Sequence, residues 1–126
     1  MAMNLLMGVQ MQAMSEAIVF AERAGLARDT FISLVAPSGY SSPVVRFKSG
    51  VMRRAFERAD FKLALMRKDL GLVLAEALRL GTSVPAVAAS HQMLTSAVNA
   101  GLGDADCAAV IVEMERTAGS IVHTVP

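Results

Sequence analysis

The sequence predicts an all-α domain of five to six helices gathered around a long N-terminal helix. Three observations carry this. Apolar residues recur at helical spacing through two long stretches, residues 4–25 and 61–81. Gly25, Gly81, Gly101 and Gly103 stand where periodic stretches end, as helix-closing glycines do. No segment alternates strictly between apolar and polar over six residues, so nothing reads as a half-buried strand. VVRF and SIVHTV are the only strand-like runs, and both are too isolated to build a sheet.

The first stretch, residues 4–25, reads as one helix of about six turns. Leu5, Leu6, Val9, Met11, Ala13, Met14, Ala17, Ile18, Phe20 and Ala21 cover nearly its whole circumference, which predicts a buried helix. Its amides Asn4 and Gln10 then require partners, because an unpaired buried amide costs about 1–3 kcal/mol. Gly25 suits a left-handed cap. A short helix over residues 28–35 follows, with Asp29 in the first turn complementing its dipole. Pro37, Gly39 and Pro43 punctuate a loop. Ser42 before Pro43 is an N-cap and first-turn pair for a third helix through VVRFKSGVMRRAF, with Gly50 weakening it and ERADF as connector. The second long helix ends at Gly81. Ser83 and Pro85 open a helix over residues 85–100, and Asp104 or Asp106 caps the last one, DADCAAVIVEMERTAG. Residues 1–119 form one helical domain; residues 120–126, SIVHTVP, read as an extended or frayed tail.

At 126 residues the chain fits a single domain that can bury about two thirds of its surface. It is apolar: 54% hydrophobic, with nine Met, no Trp and a mean hydropathy of +0.48. No run reaches about 18 apolar residues without a charge or amide, so a membrane span is not expected. No Lys or Arg precedes the first apolar stretch, which argues against a secretory signal. The expectation is a soluble, cytoplasmic domain with apolar surface that a partner covers. One cysteine, Cys107, excludes a disulfide framework within the chain, and its setting in CAAVIV reads as a small buried hydrophobe rather than a nucleophile.

Motifs for phosphate-cradling turns are absent, and GLGD at residues 101–104 has no strand before it. His91 and His123 stand apart from other ligating residues, so no metal is expected. His91 reads as a polar-face residue. The net charge of +1 sets up no global field for nucleic acid. Eight of the twelve basic residues nevertheless fall between Arg46 and Lys68: Arg46, Lys48, Arg53, Arg54, Arg58, Lys62, Arg67 and Lys68. They form either a solvated face or an anion site. Nucleic-acid binding is the weaker version, with only Phe47, Phe56 and Phe61 interleaved. Lys68 is placed near the start of an apolar helix, against the dipole, which hints at a ligand anion; Asp69 suits that position.

Three stretches together carry a family resemblance: MAMNLLMGVQMQAMSEAIVFAERAGL, ADFKLALMRKDLGLVLAEALRLG and SVPAVAASHQMLTSAVNAGLGDADCAAVI. They resemble the C-terminal helical domain of the β-hydroxyacid dehydrogenases, including 3-hydroxyisobutyrate dehydrogenase and tartronate semialdehyde reductase, with 6-phosphogluconate dehydrogenase more distant. The first looks like the long helix after the family's Lys-Leu-x-x-Asn motif. The second is similar to its Phe-x-x-x-Leu-x-x-Lys-Asp-Leu helix, and the third to its Pro-led helix and Gly-x-Gly-Asp turn. The resemblance implies a substrate-side and oligomerisation domain, dimeric through apolar helices, that faces a Rossmann domain outside this sequence. It implies NAD or NADP as cofactor and a small hydroxy acid as substrate. Asn4 matches the motif asparagine, which orients substrate and the catalytic lysine region; Lys68 matches the lysine that reaches the dinucleotide. The catalytic lysine would fall one residue before Met1, so the chain alone is expected to be inactive and to bind the dinucleotide poorly.

Two readings stand beside this. Asn4 is also a plausible helix N-cap, and Lys68 a plausible surface lysine. The alternative for the whole chain is a non-catalytic helical self-association module, with Met7, Met11 and Met14 supplying an adaptable apolar surface.

Overall fold

A computed structural model describes residues 1–53 and 58–119 of the chain. Six α-helices make up this part: α1 (Ala2–Arg23), α2 (Arg28–Val35), α3 (Pro43–Met52), α4 (Leu63–Leu80), α5 (Pro85–Ala97) and α6 (Val110–Thr117). No strand occurs among the described residues. The expected tail at residues 120–126 and the expected end of the third helix at residues 54–57 lie outside them.

Local chemistry sets most helix ends. Gly25 sits at φ +95°; its N–H bonds the Glu22 carbonyl at 3.0 Å and the Leu26 N–H bonds that of Ala21 at 2.9 Å. Those paired bonds close α1 in the manner of a Schellman cap. Gly81, at φ +65°, ends α4 the same way, with Thr82 N–H on the Ala77 carbonyl at 2.9 Å. Ser42 Oγ accepts from Val45 N–H at 3.2 Å, and Pro43 occupies the first position of α3. Helix α5 stops short of the expected residue 100. It loosens into a π-type turn over Val98–Leu102, where Gly101 at φ +92° breaks the helical path. Of the two candidate caps for the last helix, Asp106 is the one used. It accepts from Ala108 N–H at 3.0 Å and opens a 3-10 turn, Cys107–Ala109, that leads into α6.

Helix α1 is central, packing against α2, α3, α4, α5 and α6. Its Met11, Met14 and Ile18 join Met66 and Leu70 of α4, Leu94 of α5 and Ile111 of α6 in one core. It is not buried all round, however. Met3, Leu6 and Phe20 are 77%, 52% and 77% exposed, so part of its apolar circumference faces outward. Gly8 marks where α1 crosses α4: a Cβ there would lie 2.9 Å from both methyls of Leu70.

Three buried carboxylates knit the helices together. Glu113 accepts from Ser96 on α5 and from Arg116 at 2.6 Å. Glu115 accepts from Arg28, which also grips Glu22 at 2.8 Å. Asp106 is fully buried and takes the Lys48 ammonium on both oxygens, at 2.9 and 2.7 Å. It also accepts from the Asp60 and Phe61 N–H groups at 3.0 and 3.3 Å. Burial pushes the Asp106 carboxyl up, but the Lys48 ammonium and the Ala108 N–H outweigh it and hold the group below its ordinary range.

Removing one member of a buried pair strands the other charge, at a cost of about 3–5 kcal/mol. Asp106→Ala is therefore expected to lower stability by that order in denaturant titration. A pH dependence follows as well. The folded Asp106 carboxyl titrates below its unfolded value of about 3.9. Its stabilisation is complete above that pH and is lost as pH falls through the lower folded value. Acid unfolding of Asp106→Asn should be shallower than wild type, with remaining slope from Glu113, which the Arg116 hydrogen bond holds low, and from Glu76 and Asp104 at the surface, held low by Arg79 and Lys62.

Candidate functional site

Asn4 and Lys68 lie 64 positions apart in sequence and meet at one carboxylate. Asn4 sits in the first turn of α1, whose cap is Met1, so it is not the N-cap. Its Nδ2 donates to Asp69 Oδ2 at 2.8 Å. Lys68 Nζ lies 2.9 Å from Asp69 Oδ1. A carboxylate only accepts, so the amide nitrogen of Asn4 must face it. The Asn4 carbonyl oxygen and its second N–H remain for another group. Lys68 is 60% exposed at the side chain and Asp69 16%, so the carboxylate is fixed while the ammonium stays open to solution. Beside them is a recess of about 120 Å³ lined by Met1, Asn4, Asp69 and Leu72.

The helix dipole does not explain Lys68. Helix α4 starts at Leu63, which places Lys68 in its second turn, and dipole effects fade beyond the first. Its counter-charge is Asp69 on the same helix. Asp69 is the residue that sequence reasoning missed as part of the site. Its signal was present in the Lys-Asp-Leu motif, but the pairing with Asn4 depends on the α1–α4 crossing.

The other amide singled out from sequence, Gln10, is also paired, accepting from Ser42 Oγ at 2.6 Å. Cys107 is fully buried, and burial together with Asp106 pushes its thiol up to about 12. That environment suppresses the thiolate a nucleophile needs. His91 is half-buried, with its ring over Gly71 of α4. Part of the basic run is paired: Lys48 with the buried Asp106, and at the surface Arg53 with Asp29 at 3.5 Å and Lys62 with Asp104 at 2.8 Å. Arg54 lies outside the described residues. Among the described residues, no group of three or more His, Cys, Asp or Glu side chains is placed to hold a metal ion. No helix among them is long and apolar enough to cross a membrane.

Comparison with known proteins gives this arrangement a family. The family model described as the NAD-binding part of NADP-dependent 3-hydroxyisobutyrate dehydrogenase matches residues 1–114. Glyoxylate/succinic semialdehyde reductase 1 of Arabidopsis thaliana is 33% identical over 108 residues, covering 86% of this chain and 37% of the relative. L-threonate dehydrogenase of Escherichia coli O6:H1 is also 33% identical over 108 residues, with 86% and 36% covered. Among solved structures, 3-hydroxyisobutyrate dehydrogenase from Salmonella typhimurium superposes with a TM-score of 0.82 at 32% identity, covering 87% of this chain and 39% of that one. The class so defined is the NAD(P)-dependent oxidoreductases. The chain belongs to the 3-hydroxyisobutyrate dehydrogenase family of β-hydroxyacid dehydrogenases. It spans between 36% and 39% of the length of these three relatives.

The geometry at Cys107 makes a direct prediction. A thiol-specific reagent in excess should leave the folded chain unmodified and label one site per chain after denaturation, read by mass spectrometry. Rapid labelling of the folded chain would contradict the buried placement.

Proposed function

We propose that this chain is the helical, substrate-side part of an NAD(P)-dependent β-hydroxyacid dehydrogenase. In this reading it lines part of the substrate and cofactor cleft and carries the oligomer interface. The observation behind it is the convergence of Asn4 and Lys68 on Asp69 beside a small recess. The donor set fits such ligands: a carboxamide able to donate and accept, and an exposed ammonium suited to an anionic or strongly polar group. The recess admits one small polar group.

The dinucleotide, when bound, supplies hydride chemistry; the protein supplies orientation and proton transfer. Asn4 orients the substrate through its free carbonyl oxygen and N–H. Lys68 approaches the cofactor as a point charge. Proton transfer is assigned to the catalytic lysine that the family resemblance implies. The relatives are named for small carboxylates, 3-hydroxyisobutyrate, L-threonate, glyoxylate and succinic semialdehyde, and a small hydroxy acid is the substrate class proposed here. The expected setting is cytoplasmic.

A non-catalytic self-association module is the second reading. Leu34, Tyr40 and Phe47 are exposed, and an apolar groove of about 390 Å³ runs between α1, α2 and α3, lined by Ala13, Met14, Ala17, Phe31, Val35 and Val45. The two readings share an interface and differ in chemistry.

Joined to its dinucleotide-binding domain, the enzyme should lose about tenfold to a hundredfold in kcat/KM with Asn4→Ala or Lys68→Ala, the worth of one hydrogen bond to a charged group. Unchanged hydride transfer in both variants would sink the assignment. Sedimentation of the present chain should give a dimer or larger species. A clean monomer at high concentration counts against the interface.

A further inference from the structure

The Asn4–Asp69 contact requires α1 and α4 to approach closely, and one residue permits it. Gly8 lies one turn after Asn4 on the same face of α1. Opposite it is Leu70, the neighbour of Asp69, fully buried in the core. A Cβ on Gly8 would stand 2.9 Å from both Leu70 methyls and 3.1 Å from Met66 Sδ. Real Cβ contacts essentially never come under 3.0 Å. Leu70 and Met66 are both completely shielded from solvent, so any movement of either is taken up within the core. A side chain placed there must therefore displace the ends of Leu70 and Met66 or push the two helices apart. Interiors are close-packed and transmit such strain to neighbouring contacts.

We propose that Gly8 is a positioning residue of the candidate site: its missing side chain sets the α1–α4 separation at which Asn4 reaches Asp69. The part of this that concerns activity rests on the function proposed above; the structural part does not. The backbone of Gly8 is ordinary helix, with no left-handed φ to explain the glycine. Glycine inside a helix is disfavoured relative to alanine by backbone entropy. The close approach is what the sequence gains in return. The Asn4–Asp69 hydrogen bond, 2.8 Å long, weakens steeply once its angle falls below about 120°, so it depends on how the two helices are aligned.

Two measurements test the idea and keep it apart from the function assignment. In the chain itself, the side-chain amide signals of Asn4 are followed by NMR in wild type, Gly8→Ala and Gly8→Ala/Leu70→Val. The double variant removes the methyls that the new Cβ meets. The expected result is that Gly8→Ala moves the Asn4 amide signals towards those of a solvent-exposed asparagine, and that the double variant returns them. Asn4 signals unmoved in folded Gly8→Ala would overturn the proposal, as would a shift that the double variant fails to reverse. In the enzyme joined to its dinucleotide-binding domain, Gly8→Ala should lower kcat/KM by a factor close to that of Asn4→Ala, with recovery in the double variant. If Asn4→Ala leaves activity intact while the NMR shift and its reversal hold, the function assignment fails and the positioning role stands. If Asn4→Ala is impaired and Gly8→Ala is not, the positioning role fails alone.

Discussion

One buried carboxylate organises the second half of this molecule. Asp106 receives the Lys48 ammonium from α3, the Asp60 and Phe61 amides from the segment entering α4, and the Ala108 amide of the 3-10 turn. Around it, Leu63 N–H bonds the Ala105 carbonyl at 2.9 Å, and Cys107 N–H bonds that of Phe61 at 2.8 Å. Three parts of the chain, α3, the entry to α4 and the approach to α6, are thereby held at one point. Desolvating such a pair cancels much of its attraction, so an apolar substitute of equal volume need not be less stable. What an apolar substitute lacks is direction. It offers nothing to the two amides that fix where α4 begins, and the placement of Lys68 and Asp69 follows from that beginning.

The sequence announced its helix ends because those are decided locally. Gly25 and Gly81 take positive φ, Ser42 and Pro43 start α3, and α2 runs over the expected residues, all from interactions within a few positions. What was not legible depends on residues far apart. Lys48 reads as one more cation in a basic run, yet is 3% exposed and bound to a partner 58 positions away. Nothing in the sequence around Gly8 marks it, yet it lies at the crossing with α4. The exposed flank of α1 was misjudged for a related reason: apolar character around a helix shows that its surface avoids water, not that this chain covers it.

The basic run shows how pairing changes the meaning of charge. From composition alone, eight cations within 23 residues suggest a field that gathers anions. In the structure Lys48, Arg53 and Lys62 are each matched to an acidic residue distant in sequence, Lys48 in the interior and the other two at the surface. Lys68 differs in kind. Its carboxylate neighbour is adjacent in sequence, largely shielded, and shared with Asn4. An ammonium so placed is tethered without being enclosed. That is the state of a group able to meet an incoming ligand without first breaking a buried ion pair.

Helix α1 joins core and site through a single seam. Asn4, Gly8, Met11, Ser15 and Ile18 follow one another at intervals of four and three, which puts them in line along one side of the helix. Met11 and Ile18 are sealed in the core, Ser15 is buried and turns its hydroxyl to the Met11 carbonyl, and Gly8 is the close approach to α4. Asn4 is the last member, where the seam comes out to the recess. Its orientation is therefore not set by its own hydrogen bond alone. A shift of one residue in the packing of α1 would turn every side chain by about 100°. It would remove Met11 and Ile18 from the core in the same motion that took Asn4 away from Asp69. The free energy that holds the hydrophobic core together is thus the same free energy that aims the asparagine, and the site needs no separate scaffold.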